Sequence, residues 1–233
     1  MVEATHELLG KGTCEVLKLP MLRRAMIRAS VRSAAAPYFS LRRGANVTKL
    51  LSRRASLRAA GQEIPSINDY VVRAVGLALR DHPVVNAGFI EEEVIEFSRV
   101  NVGVAIAVPG GLVAPAVYDV DLKDALHVGR DIRLLAEQAK TRSLSRESLQ
   151  DPTFTVSNLG MFGIEDFDPL LNAPQAAILG VGAVTGEQEK RMRVSLGCDH
   201  RVITGAEGAE FLQTFCDLLE NGDDENPLFW SEV

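Results

Sequence analysis

Cysteine is scarce in this sequence: three residues in 233, at positions 14, 198 and 216. An odd number without metal-like spacing argues against a disulfide scaffold and against a metal site, and fits a reducing compartment. Long apolar runs are also lacking, so no segment reads as a membrane span. The opening "MVEATHELLGKG" is acidic and has no apolar h-region, which argues against a signal peptide and makes the cytoplasm the expected location. Dense Lys/Arg interleaved with aromatics is missing too. Net charge is −6 and the acids are spread out, so nucleic acid is not an expected partner. There is no internal repeat and no low-complexity segment.

What is present is ordinary globular composition, 46% hydrophobic and 24% charged, enough for a sizeable core. The four Arg at 23, 24, 28 and 32 form the only basic cluster. Arg24, Arg28 and Arg32 recur every four residues, which reads as one solvated helix face, with an ion pair or an anionic ligand as the alternative.

Residues 1–18 read as an irregular arm. "MLRRAMIRASVRSA" is helical by composition, "PYFSLRRG" reads as a strand, and "NVTKLLSRRASLRAAG" is helical up to Gly61. "PSINDYVVRAVGLALRDHP" is the clearest helix: Ser66 caps it, Asp69 completes a capping box, and Pro83 ends it. In "VNVGVAIAVP" the period changes to two. Val100, Val102, Val104, Ile106 and Val108 alternate with small residues, which predicts one strand whose small face is approached closely by backbone or ligand. Residues 121–140 are again helical, with Asp121 as the expected cap. "TFTVSNLG", "QAAILGVGAV" and "RMRVSLGCDH" read as strands. A final helix should place Ala209, Leu212, Phe215 and Leu219 on one face. Helices and strands mix without strict alternation, so the expected class is α/β (α+β-like) with a mixed sheet.

Two polar residues stand at strand ends. Met192, Val194, Leu196, Cys198 and His200 share parity, so His200 would point with a buried apolar row. Partial desolvation there would favour the neutral imidazole that a general base needs. The alternative is a packed, hydrogen-bonded core His. Cys198 shares the face, but nothing nearby favours its thiolate. Ser157 ends the strand "FTVSN" before a Gly turn. It is not in a G-x-S-x-G elbow, which disfavours a hydrolase nucleophile. A hydroxyl there can donate to an oxyanion instead. His6, His82 and His127 are less promising by context.

"FTVSNLGMFGIEDFDPLLNAPQAAILGVGAV" followed by "DHRVITGAEGAEFL" closely resembles the catalytic domain of dihydrolipoamide acyltransferases, the core components of 2-oxoacid dehydrogenase complexes. "PSINDYVVRAVGLALRDHPVVNA" and "VNVGVAIAVPGGLVAPAV" match the same family in the same order, so the resemblance covers residues 17–220. It implies a chloramphenicol-acetyltransferase-like fold, assembled as a trimer with active sites between subunits. It implies His200 as the base and Ser157 as the oxyanion donor, with coenzyme A and a lipoyl thiol as substrates and no metal. The implied partners are further copies of the chain, a lipoyl domain and the decarboxylase component of the complex. The expected division is an N-terminal arm (1–18), an acyltransferase domain (19–222) and a C-terminal tail (223–233). In that tail Leu228, Phe229 and Trp230 would join trimers into a cage or fold back on their own subunit.

The family motif reads His-Arg, two residues, Asp-Gly; here Thr204 stands at the Asp position, before Gly205. A buried Arg that lost this carboxylate would cost on the order of 3–5 kcal/mol. Arg23 or Arg24 should then pair elsewhere, with Asp199 as the candidate, or be hydrated. Asn158, Gly205, Thr204, Asp199, Arg23 and Arg24 are the expected structural support of the site. The chain also shows no lipoyl domain and no Ala/Pro-rich linker, which opens a second reading: a free-standing or excised enzyme acylating the phosphopantetheine thiol of an acyl carrier protein. A non-catalytic core or docking subunit is the third.

Overall fold

The computed structural model describes residues 5–8 and 12–222, with the backbone alone for 5–8, 13 and 15. Leu228, Phe229 and Trp230 and the rest of the expected tail lie outside the described residues. The N-terminal region, expected to be irregular, forms an antiparallel hairpin of β1 (Thr5–Leu8) and β2 (Gly12–Glu15). Gly12 takes φ +71°, a left-handed conformation that glycine adopts without a Cβ clash.

The chain continues through α1 (Met21–Ser33), β3 (Tyr38–Asn46), α2 (Thr48–Ala59) and α3 (Ile67–Asp81). The hairpin β4 (Ala87–Ile90) and β5 (Glu93–Glu96) follows, then β6 (Val102–Val104), the hairpin β7 (Ile106–Val108) and β8 (Gly111–Val113), and β9 (Ala116–Val117). Helices α4 (Ala125–Thr141) and α5 (Arg146–Gln150) lead to β10 (Phe154–Asn158), β11 (Ala177–Thr185), β12 (Arg191–Asp199) and α6 (Gly205–Asn221). Six strands form one sheet in the order β3-β12-β11-β10-β6-β9. Strand β10 runs parallel to β11 and β6, while the other pairs are antiparallel. The expected mixed sheet is thus present.

Local chemistry sets the best-defined helix. Ser66 Oγ accepts the Asp69 N–H at 3.2 Å, and Asp69 Oδ2 accepts the Ser66 N–H at 2.7 Å. This reciprocal pairing satisfies two donors that a helix start leaves open. Val71, Val75 and Leu79 of α3 are buried, with Ile67 partly buried at its start. With Phe211, Phe215 and Leu219 of α6 and Val156, Leu179 and Leu196 of the sheet, they form one core. On α6, Ala209 faces solvent, and Gly208 takes the buried place beneath Leu41.

The middle of the sheet's other face carries small residues. Gly180 and Ser195 pair across β11 and β12, and the chain at Phe167–Pro169 lies on them: Ser195 Oγ donates to the Phe167 carbonyl at 2.5 Å.

Two local expectations fail for tertiary reasons. The alternating run from Val100 to Val108 does not form one strand. The Ala105 N–H bonds the Val156 carbonyl at 2.9 Å, and the chain then leaves the sheet as the β7–β8 hairpin, whose Gly111 meets Leu22 and Met26 of α1. The close approach expected on the small face occurs at Gly103, which packs under Pro152. Asp121 does not cap α4. It lies in a 3-10 turn (Val120–Leu122) and pairs with Arg80 at 2.7 Å, while Asp124 accepts the His127 N–H at 2.8 Å. No helix among the described residues is long and apolar enough to cross a membrane.

Candidate active site

Strand β12 ends at Asp199, one residue before His200. The His200 N–H bonds the Pro37 carbonyl at 2.9 Å, and the Val202 and Ile203 N–H groups both reach the Asp199 carbonyl at 3.0 Å, which bends the chain into a turn. His200 therefore does not continue the buried row of Leu196 and Cys198. It is exposed on the isolated chain, with its ring tilted against Phe39 at a centroid distance of 4.8 Å. The other two His residues with described side chains are engaged: His82 Nε2 with Thr214 Oγ1 at 2.8 Å, and His127 Nδ1 with Asp124 at 2.8 Å. The His200 ring has no hydrogen-bond partner among the described residues. Burial, with the Asp199 charge adding, pushes the thiol of the neighbouring Cys198 up to about 12, so it is no nucleophile near neutral pH.

Ser157 sits in β10, half-buried, opposite Gly180 of β11. Its hydroxyl has no hydrogen-bond partner among the described residues. The turn after it is fastened by Asn158, whose Oδ1 accepts the Gly160 N–H at 2.9 Å and whose Nδ2 donates to Asn68 Oδ1 of α3 at 3.0 Å.

The sheet register decides how these two side chains can meet. Ser157, Gly180 and Ser195 align across three strands, and His200 lies five residues beyond Ser195. At ~3.3 Å per residue and ~4.8 Å per strand, this puts the two Cα atoms roughly 19 Å apart in one chain, toward opposite ends of the sheet. A base and an oxyanion donor must both lie within hydrogen-bond reach of one reacting centre. Serving one centre therefore requires His200 from one copy and Ser157 from another.

The expected supporting residues divide. Asp199 is buried and pairs with Arg201, at 2.6 Å between carboxylate and guanidinium. The expected pairing of Asp199 with Arg23 or Arg24 is not formed: both Arg are exposed on α1 and have no ion pair among the described residues. Thr204 caps α6. Its Oγ1 accepts the Glu207 N–H at 3.4 Å, and Glu207 Oε2 accepts both the Thr204 N–H and O–H at 2.8 Å. These bonds hold the Glu207 carboxyl below the usual carboxylate range. Thr204 thus faces a neighbouring carboxylate and not a buried Arg. Gly205 is not needed for space, since a Cβ there would meet nothing within 4 Å. Sequence reading missed Arg201, Phe39 and Asn68. Arg201 was signalled by its adjacency in "DHR", the other two by nothing local. Among the described residues no group of His, Cys, Asp and Glu is placed to hold a metal ion.

The family model of the 2-oxoacid dehydrogenases acyltransferase catalytic domain matches residues 11–225. The mitochondrial dihydrolipoyllysine-residue acetyltransferase component of the pyruvate dehydrogenase complex of Dictyostelium discoideum is 39% identical over 79% of this chain. The match spans 31% of that relative's own length. Among solved structures, the Azotobacter vinelandii dihydrolipoamide acetyltransferase superposes with a TM-score of 0.84 at 28% identity, covering 90% of this chain and 93% of that one. Its study concerns the catalytic roles of a serine, a histidine and an asparagine, the asparagine four residues after the histidine; four residues after His200 stands Thr204. The cubic core of a pyruvate dehydrogenase multienzyme complex gives a TM-score of 0.85 at 28% identity, covering 91% of this chain and 93% of that one. Chloramphenicol acetyltransferase, 16% identical with a TM-score of 0.55 over 82% of this chain and 94% of that one, shares the fold. The chain belongs to the family of 2-oxoacid dehydrogenase acyltransferase catalytic domains.

Proposed function

We propose that this domain transfers an acyl group between coenzyme A and a dihydrolipoyl thiol. What carries the reading is the family match over residues 11–225. His200 and Ser157, whose side chains have no hydrogen-bond partner among the described residues, supply the two groups the reaction needs. The His200 imidazole takes the proton of the attacking thiol. The thiolate adds to the thioester carbonyl, and the Ser157 hydroxyl donates to the oxygen that gains negative charge. Collapse expels the other thiolate, which recovers the proton from the imidazolium. One thioester is made as one is broken, so neither a covalent enzyme intermediate nor a redox step enters.

The names of the relatives support an acetyl group and a lipoyl-lysine acceptor. They give no support to the alternative acceptor, the phosphopantetheine of an acyl carrier protein. The register separation supports sites shared between copies, for which we propose a cyclic trimer. The likeness to a cubic core supports further assembly of trimers, and a lipoyl domain and a decarboxylase component are the partners we propose. Free Cys14, Cys198 and Cys216 suit the reducing compartment that a dithiol substrate requires, and the cytoplasm is our proposed location. The test is acetyl transfer from acetyl-CoA to dihydrolipoamide, a lipoyl domain and a carrier-protein pantetheine at equal concentration. Faster transfer to either lipoyl thiol is expected. A clear preference for pantetheine would replace the acceptor, and no transfer to any thiol would leave the non-catalytic core reading.

A further inference from the structure

The turn that presents His200 is held by groups the reaction does not use. Asp199 is 3% exposed, and its oxygens converge on Arg201. Oδ1 accepts the Arg201 backbone N–H at 3.0 Å and Nε at 2.9 Å, and Oδ2 accepts Nη2 at 2.6 Å. The guanidinium also lies 4.0 Å from the ring centre of Phe89 in β4. Residues 199 and 201 are thus tied to each other on either side of His200, and the tie is anchored to a separate hairpin. A turn residue bracketed in this way loses backbone freedom it would otherwise keep. A buried carboxylate is a poor source of net stability, because desolvation offsets the ion pair. Its placement here, directly before His200, is explained by the geometry it imposes.

We propose that Arg201, locked between Asp199 and Phe89, is a positioning residue for His200, setting the turn from which the imidazole reaches the substrate thiol. This rests on His200 acting as the base. Misplacing a reacting group by about 1 Å costs up to ~100-fold. Arg201→Ala should therefore lower kcat about 10- to 100-fold while KM changes little, the pattern expected of a residue that positions the base rather than holding substrate. Millimolar guanidinium ion should restore part of the lost kcat, since the Arg201 side chain reaches solvent. Arg201→Lys should restore less than the wild-type level, because an ammonium cannot make the two-pronged contact. Phe89→Leu keeps an apolar packing partner and removes only the stacking, with about a threefold loss in kcat expected.

The measurement is steady-state kinetics of acetyl transfer on the assembled protein, with assembly checked by sedimentation. An unchanged kcat in Arg201→Ala overturns the proposal. So does a loss that ignores guanidinium and follows loss of assembly. Should Arg201→Ala fail to fold, an unchanged kcat in both Arg201→Lys and Phe89→Leu overturns it equally. His200→Ala run alongside separates the two readings. Full activity there removes the base itself, whereas an inactive His200→Ala beside fully active Arg201 variants removes only the positioning role.

Discussion

Two inactive variants of this protein should make an active one when mixed. The register puts Ser157 and His200 roughly 19 Å apart within a chain, so on the proposed mechanism a working centre would draw His200 from one copy and Ser157 from the next. His200→Ala should lower transfer by about 10²–10⁴-fold, and Ser157→Ala by about 10²–10³-fold. In a closed cyclic assembly each site lies between two neighbouring copies. When equal amounts of the two variants are unfolded together and reassembled at random, half the copies carry an intact His200 and half carry an intact Ser157. A site is fully intact when both conditions hold across one interface, so about a quarter of all sites should regain wild-type turnover. The assay is acetyl transfer per site in each variant alone and in the reassembled mixture, with native mass spectrometry confirming mixed oligomers. Activity no higher than the mean of the two parents, in verified mixed oligomers, would refute the shared site. Recovery near a quarter excludes a site contained in one chain, because no chain in the mixture holds both groups.

Thr204→Ala should lower stability by about 1 kcal/mol through loss of the α6 cap, while Thr204→Asn, itself a good cap, should leave the urea midpoint nearly unchanged. The cap should also depend on pH. The Glu207 carboxyl is held below its ordinary range by Thr204, so its contribution is complete above its unfolded value of about 4.3 and lost as pH falls through the lowered folded value. The Thr204→Ala deficit measured at neutral pH should accordingly shrink in strongly acidic urea titrations, and a deficit independent of pH would contradict the Glu207 contact. Gly180→Ala would place a Cβ 2.6 Å from Ser195 Oγ and against Phe167 and Pro169. Overpacking of this kind costs about 1–3 kcal/mol, visible as a lower melting temperature. Iodoacetamide at mildly alkaline pH should spare Cys198 and Cys216, whose thiols burial pushes up to about 12, and modify them only after unfolding. Native-state alkylation of either, read by mass spectrometry, would contradict their burial.

The sequence by itself determined the elements whose causes are local. The α3 start follows from Ser66 and Asp69, three residues apart, and it folds as the capping box demands. Strands β10, β11 and β12 follow from alternation bounded by turn residues, and the motifs around Ser157 and His200 carried the family. Other features depended on partners distant in sequence. The alternation from Val100 to Val108 is unbroken as text, yet the pairing with β10 ends at the Ala105 bond to the Val156 carbonyl, and the chain continues as a hairpin packed on α1. Asp121 and Asp124 are equally good caps on paper; Arg80, across the fold, takes one and leaves the other. Asp199 found its cation two residues away rather than on α1. Above all, the distance between His200 and Ser157 is set by strand order, which places β11 between β10 and β12. Periodicity fixes which face a residue occupies. Only hydrogen-bonded pairing between strands fixes which end of the sheet it reaches, and that pairing sets the two side chains too far apart to serve one centre within a single chain.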